Sequence, residues 1–257
     1  MTNHRIEELE HKYLNKFYYF LKYVEDEMLD GFQTKENIRD DWEDRWDPLG
    51  EGKGISSFSI GAERIVYALL NGKGVGQPNS APIGSDIFFE VHDAFIHFEL
   101  KTVQSNKIKQ YTQKILVSAN QNSYNYEIKR VNDKSFNPKR YSNAALPHVY
   151  YNQGRKKPCL TYFITILYEE ESLDILNLNL ICMPNGQLSN VYKDSVLTVG
   201  KVTGEVSFKF LQCSKFLTLS DQPFRMKVIY INPQINEKYR NRFNSFFELE
   251  KSHDLVH

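Results

Sequence analysis

Two long apolar runs, CLTYFITILY at 159–168 and LDILNLNLICM at 173–183, constrain this chain more than anything else in it. A strand with one wet face alternates apolar and polar residues, whereas runs this dense suit a mostly buried central sheet. EVSFKFLQC (205–213) and FRMKVIYI (224–231) extend the β-rich set. A sheet buried on both faces needs layers on each side, and 257 residues can supply them around one substantial core.

The helical cover is legible nearer the ends. From Arg5 to Leu29, the residues Leu9, Tyr13, Leu14, Phe17, Phe20, Leu21 and Val24 recur at three- and four-residue spacing, an amphipathic helix with acids at its end. Asp30 to Ser57 is polar, holds Trp42, Trp46 and a glycine run (Gly50, Gly52, Gly54), and reads as a loop with at most one short helix. A second helix is predicted from Phe58 to Leu70, with Ile60, Ile65, Val66, Ala68 and Leu69 for the core and Asn71-Gly72 as its stop. The loop GKGVGQPNSAPIG then leads to Ser85, and the tail NEKYRNRFNSFFELEKS reads as helical. No repeat or long linker divides the chain, so a single domain of 1–257 is expected.

Charge and cysteine content narrow the function classes. Formal net charge is zero, which argues against binding a polyanion by bulk charge. The distribution is uneven, however. Met1 to Gly50 carries 13 acidic and 7 basic residues, a balance of −6, while Lys101 to Leu160 has 12 basic residues against Glu127 and Asp133, a balance of +10. Such a block suits either a polyanion-binding face or a solvated lysine-rich loop. Cys159, Cys182 and Cys213 have neither zinc-site nor disulfide-framework spacing and are read as core packing. With no signal-peptide stretch and no run of about 20 apolar residues, no membrane partner is expected and the chain reads as cytoplasmic.

The chemistry is concentrated in SDIFFEVHDAFIHFELKTV, which reads as two strands around His92-Asp93-Ala94. Successive strand residues face opposite ways. Asp86, Phe88, Glu90 and His92 therefore share one side of the first strand, and His97, Glu99 and Lys101 share one side of the second. A two-residue turn at Asp93-Ala94 would set Phe89 opposite Phe98 and Asp86 opposite Lys101, with Glu99 diagonal to Asp86 at roughly 5–8 Å. Any even turn keeps the apolar faces together and the polar faces together. Two carboxylates that close repel one another, and a hard cation such as Mg²⁺ relieves the repulsion. A bound cation polarises a phosphate oxygen and acidifies water, and an adjacent lysine can position that water or balance charge growing on phosphorus.

Asp86 after a glycine-containing loop, the hairpin, and then Glu99-Leu100-Lys101 resemble the PD-(D/E)xK nuclease motif of type II restriction enzymes. The proline–aspartate pair is imperfect, because Ser85 precedes Asp86 and the nearest proline is Pro82. The resemblance implies an α/β fold with a central mixed β-sheet flanked by helices, a restriction-endonuclease-like core drawn from 58–104 and 158–183. It implies Asp86, Glu99 and the backbone carbonyl of Leu100 as metal ligands for Mg²⁺, with Mn²⁺ as a substitute, and a homodimer acting on double-stranded DNA. Glu63, in GAERIVYALLNG, holds the place of an additional glutamate that family members carry on the preceding helix. Residues 1–57 are then an N-terminal helical part and 105–157 a segment for contacting DNA. Lysines and arginines there alternate with Tyr, Asn and Gln, the side chains that bind phosphates and read base edges. The candidates are Lys107, Lys109, Lys129, Arg130, Lys139, Arg140, Arg155, Lys156 and Lys157.

Each residue also has a plainer reading. Asp86 could bond its own turn, Glu99 and Lys101 could form an exposed salt-bridge set, and Glu63 could simply face solvent. Glu90, His92 and His97 are read as surface residues. A repair nuclease or junction resolvase, a catalytically inert DNA-binding protein and a β-rich scaffold are the rival functions.

Overall fold

The computed structural model describes residues 1–37, 58–72, 86–129, 140–141, 144–152, 154–169, 172–199, 206–211 and 225–254. The helices longer than one or two turns are α1 (Asn3–Tyr23), α2 (Glu25–Asn37), α3 (Phe58–Gly72) and α4 (Asn244–Asp254). The strands are β1 (Ile87–Glu90), β2 (Phe95–Gln104), β3 (Ile115–Val117), β4 (Ile128–Lys129), β5 (Arg140–Tyr141), β6 (Val149–Asn152), β7 (Arg155–Tyr168), β8 (Ile175–Met183), β9 (Leu197–Val199), β10 (Val206–Phe208) and β11 (Met226–Ile231).

The central sheet runs β1-β2-β7-β8-β11, with β6 pairing the start of β7. β2 and β7 are parallel and the other pairs antiparallel, so the sheet is mixed, as expected. The apolar runs β7 and β8 occupy its middle, and every residue of β8 is buried. Alternation sends Tyr162, Ile164 and Leu180 toward α1, α2 and α3, where they meet Leu9, Phe17, Leu21, Met28, Val66 and Leu70. Phe163, Leu167, Ile181 and Val228 point the other way, onto the small β3-β10-β9 sheet and Phe246 and Leu249 of α4. Both sides are covered, so even Asn177 and Asn179, the polar positions that alternate with leucine along β8, are buried; the Tyr111 hydroxyl donates to Asn177 Oδ1 at 2.8 Å and accepts from Asn179 Nδ2 at 3.0 Å.

The first helix differs from its expected span. It breaks at Val24, and α2 carries the chain on to Asn37, so 30–37 is helix rather than loop. The apolar stripe in fact continues through Val24, Met28 and Phe32, all buried. Glu25, Asp26 and Glu27, read as acids closing one helix, fill the first turn of the next, where negative charge is favoured. The glycine run and both tryptophans, Pro82, Ser85 and Cys213 lie outside the described residues. Cys159 and Cys182 are buried thiols.

Helix α1 also buries two acids. Glu10 accepts from Arg225 Nη2 at 2.8 Å and from the Asn185 N–H at 2.7 Å, with both members of the ion pair fully buried. Glu7 accepts from the Tyr192 hydroxyl. These contacts tie α1 to the far end of the sheet. Among the described residues no helix is long and apolar enough to cross a membrane.

Candidate active site

The hairpin turns at His92-Asp93, one position earlier than the spacing suggests. The Val91 N–H donates to Ala94 O at 2.9 Å, and the ladder runs from Glu90↔Phe95 to Ile87↔Phe98. Ala94 is apolar and wholly buried and closes the turn against Val91 just before β2 begins, while Asp93 bonds Lys12 Nζ at 2.6 Å and the Tyr13 hydroxyl of α1. Phe89 therefore faces Ile96 instead of Phe98, and continuing the ladder by one step places Asp86 opposite Glu99 instead of Lys101. The turn remains even, so the acidic and apolar faces keep their expected partners.

β1 pairs only four residues of the ten-residue β2, and it is the edge strand of the sheet. Beyond Phe98, β2 therefore presents its backbone past the end of β1. Asp86 closes the first of those positions, its Oδ2 accepting from the Leu100 N–H at 2.7 Å. In a strand the N–H and C=O of one residue point to the same edge, so the Leu100 carbonyl is directed to the side where Asp86 sits.

Three further groups converge there. Glu99 is fully buried, and neither of its carboxylate oxygens has a hydrogen-bond partner among the described residues. Burial, and next the Asp86 charge, push its pKa up to about 8; the Asp86 backbone and the Gln121 amide lie near enough to pull it slightly down without completing a hydrogen bond. Burial raises Asp86 as well, opposed by the Leu100 N–H and the Lys101 charge. Burial lowers Lys101, partly offset by Glu99 and Asp86. Its ammonium donates to Gln121 Oε1 at 2.5 Å. Glu63, on α3, is raised first by burial and then by Asp86, which puts the two carboxylates within electrostatic reach.

An uncompensated buried carboxylate pair is costly unless something positive joins it. The donor set is oxygen only, which fits a hard divalent cation. Among the described residues no group of three or more His, Cys, Asp or Glu forms a ready cation shell, so substrate or water oxygens would have to complete the coordination.

Over residues 3–172 the chain matches the family described as type II restriction enzyme MwoI, N-terminal domain, and over 175–231 the MwoI central domain. The chain belongs to the MwoI family of type II restriction enzymes. It is accordingly a site-specific deoxyribonuclease, and restriction enzymes of this kind typically use divalent metal ions. No curated protein resembles the chain significantly in sequence. Its fold is similar to the restriction endonuclease BglI bound to its DNA recognition sequence, at TM-score 0.61 and 16% identity over 79% of this chain and 85% of that one. It is equally similar to the tetrameric restriction endonuclease SfiI bound to cognate DNA, at TM-score 0.61 and 12% identity over 93% of each chain.

Among the described residues, the basic candidates of this restriction enzyme fall in separate places along the sheet. Lys107 and Lys109 are exposed just past the end of β2, on the side of Lys101. Arg155 and Lys156 are exposed at the start of β7. Thr165 is the partner of Lys101 on that strand, so ten residues of extended chain separate Arg155 from the catalytic level, roughly 33 Å. Lys157 is engaged by Glu90 Oε1 at 2.5 Å and Val91 O at 2.8 Å. Lys129 and Arg140 pair across β4 and β5, while Arg130 and Lys139 lie outside the described residues. His92 is exposed, but His97 is not a surface residue. It is wholly buried against Phe88 and Tyr150, on the face that also carries Glu99.

Sequence reasoning misses Gln121. Its signal is Ser118-Ala119-Asn120-Gln121, a capping-box pattern that the structure realises on a single 3-10 turn.

Proposed function

We propose that Asp86, Glu99 and Lys101 are the catalytic set with which this restriction enzyme hydrolyses phosphodiester bonds of a specific double-stranded DNA sequence, using Mg²⁺, for which Mn²⁺ substitutes. One observation carries the reading. Asp86, bonded to the Leu100 N–H one residue before β1, and Glu99 lie within electrostatic reach of each other and of Lys101, and Glu99 is fully buried with neither oxygen partnered among the described residues.

Asp86, Glu99 and the Leu100 carbonyl would hold the cation. When bound, it supplies a Lewis acid toward a phosphate oxygen and a lower pKa for coordinated water. The chain's own residues supply the rest. The Leu100 N–H fixes one Asp86 oxygen and so turns the carboxylate toward Glu99. Lys101 brings a positive charge beside the two acids, placed to orient a water molecule or to offset charge accumulating on phosphorus. Glu63 acts as an accessory acid beside Asp86. Lys107 and Lys109 at one end, and Arg155 and Lys156 at the other, serve as phosphate or base contacts. Double-strand cleavage by one such site per chain calls for two copies, so a homodimer is the working assembly.

Incubating DNA of known sequence with the protein and Mg²⁺ should yield discrete fragments with uniform ends. Asp86→Ala, Glu99→Ala and Lys101→Ala should each lose cleavage by at least about a thousandfold while a gel shift on the same DNA persists. Normal cutting by any of the three would remove that residue from the set. Selective nicking of four-way junctions would instead favour the resolvase reading.

A further inference from the structure

We propose that Gln121 is a positioning residue for the catalytic reaction, an uncharged clasp that holds the Lys101 ammonium beside Asp86 and Glu99. The inference rests on the assignment of those three residues above.

Lys101 needs a fixed direction. A lysine stem is long and freely rotating, and its ammonium is a point charge without the planar fork that pre-organises arginine. A carboxylate partner would hold it but would add a third negative charge to a pair that already repels. A neutral amide oxygen holds it without that penalty. Gln121 Oε1 accepts from Lys101 Nζ at 2.5 Å and from the Ser118 N–H at 3.0 Å. Both neighbours are donors, so only the amide carbonyl can face them. The amide NH₂ is thereby turned away from Lys101.

The clasp is built before it is used. The Gln121 N–H donates to Ser118 O at 3.1 Å, and the Ser118 side chain caps the same turn. Asn122 Nδ2 also donates to Ser118 O, at 3.0 Å, and Asn122 Oδ1 accepts from the Tyr124 N–H at 2.9 Å. Gln121 is thus gripped from both sides by a turn that follows β3, while Lys101 comes from β2 and is 20 residues distant in sequence. Nothing in an ordinary capping box requires a glutamine oxygen to reach a lysine on another strand.

Gln121→Met keeps the length of the side chain and removes the acceptor. Ser118→Ala loosens the same turn but leaves the acceptor in place. With wild-type protein shown to cut, single-turnover cleavage at saturating enzyme and Mg²⁺ should fall about 10- to 100-fold in Gln121→Met, as expected when a hydrogen bond to a charged group is deleted. DNA affinity measured with Ca²⁺ and the melting temperature should stay near wild type, and Ser118→Ala should cut within a few-fold of wild type. A wild-type rate in Gln121→Met, or an equal drop in Ser118→Ala, overturns the clasp and leaves the catalytic set standing. Wild-type protein that fails to cut any DNA, or a Lys101→Ala variant that cuts normally, overturns the catalytic assignment instead.

Discussion

At the scale of single residues, the site stores instability that a cation would relieve. Glu99 titrates near 8 in the folded, metal-free protein and near its ordinary 4.5 when unfolded. The folded state therefore binds the extra proton between those values, and stability declines as pH rises from about 4.5 to about 8. Metal-free protein should melt at a lower temperature at pH 8 than at pH 5.5, and divalent cation should raise the melting temperature more at the higher pH, where no proton competes. Glu99→Gln removes the charge and should be more stable than wild type at pH 8 by about 1–3 kcal/mol, a rise of several degrees, while being unable to cut. Scanning calorimetry at two pH values decides this, and a lower melting temperature for Glu99→Gln at pH 8 would refute it. The grouping of Asp86, Glu99 and Lys101 is legible in the sequence because strand parity needs only their spacing. The depth of Glu99 is not, since burial depends on the second sheet and β7 arriving from elsewhere. His97 misleads for the same reason: its neighbour Tyr150 lies on a strand far along the chain.

At the scale of elements, the catalytic hairpin is held by a helix that comes before it in the chain. Phe17 of α1 packs its ring on Phe89 of β1 at 6.0 Å, Phe98 of β2 at 4.8 Å and Tyr162 of β7 at 5.6 Å. The same helix fixes the turn through Lys12 and Tyr13 to Asp93. Phe17→Ala empties a buried aromatic site and should cost about 3–5 kcal/mol, which urea denaturation should show as a lower midpoint with little change in slope. A destabilisation below about 1 kcal/mol would mean that α1 is not the clamp. The amphipathic stripe of α1 announces this packing, but the hairpin register differs from its expectation by one turn position. Sequence spacing cannot distinguish Asp93-Ala94 from His92-Asp93. The choice belongs to Lys12 and Tyr13, about 80 residues away, and to the pocket that buries Ala94. Glu7 and Glu10 are equally opaque, because their partners Tyr192 and Arg225 are 185 and 215 residues distant.

At the scale of the whole molecule, a neutral chain must bind DNA through local charge. The exposed basic pairs stand at opposite ends of the sheet, Arg155 and Lys156 roughly 33 Å along β7 from the level of Lys101, and Lys107 and Lys109 past the end of β2. The distance from the catalytic level to Arg155 alone is about one turn of duplex, so both pairs can touch the same DNA only if it lies along the β2–β7 direction. Deleting one phosphate-neutralising side chain should flatten the plot of log affinity against log salt by about 0.9. Replacing either pair by alanine should thus reduce the slope by about two, and replacing all four by about four, because sites this far apart act independently. Gel shifts with Ca²⁺ at several salt concentrations measure the slopes directly. If only the Lys107 and Lys109 pair changes the slope, the duplex crosses the sheet at the catalytic end, and Arg155 and Lys156 are solvated surface. Equal and additive changes would instead lay the DNA along the strands, with the scissile phosphate brought to Asp86 at the open edge of β2.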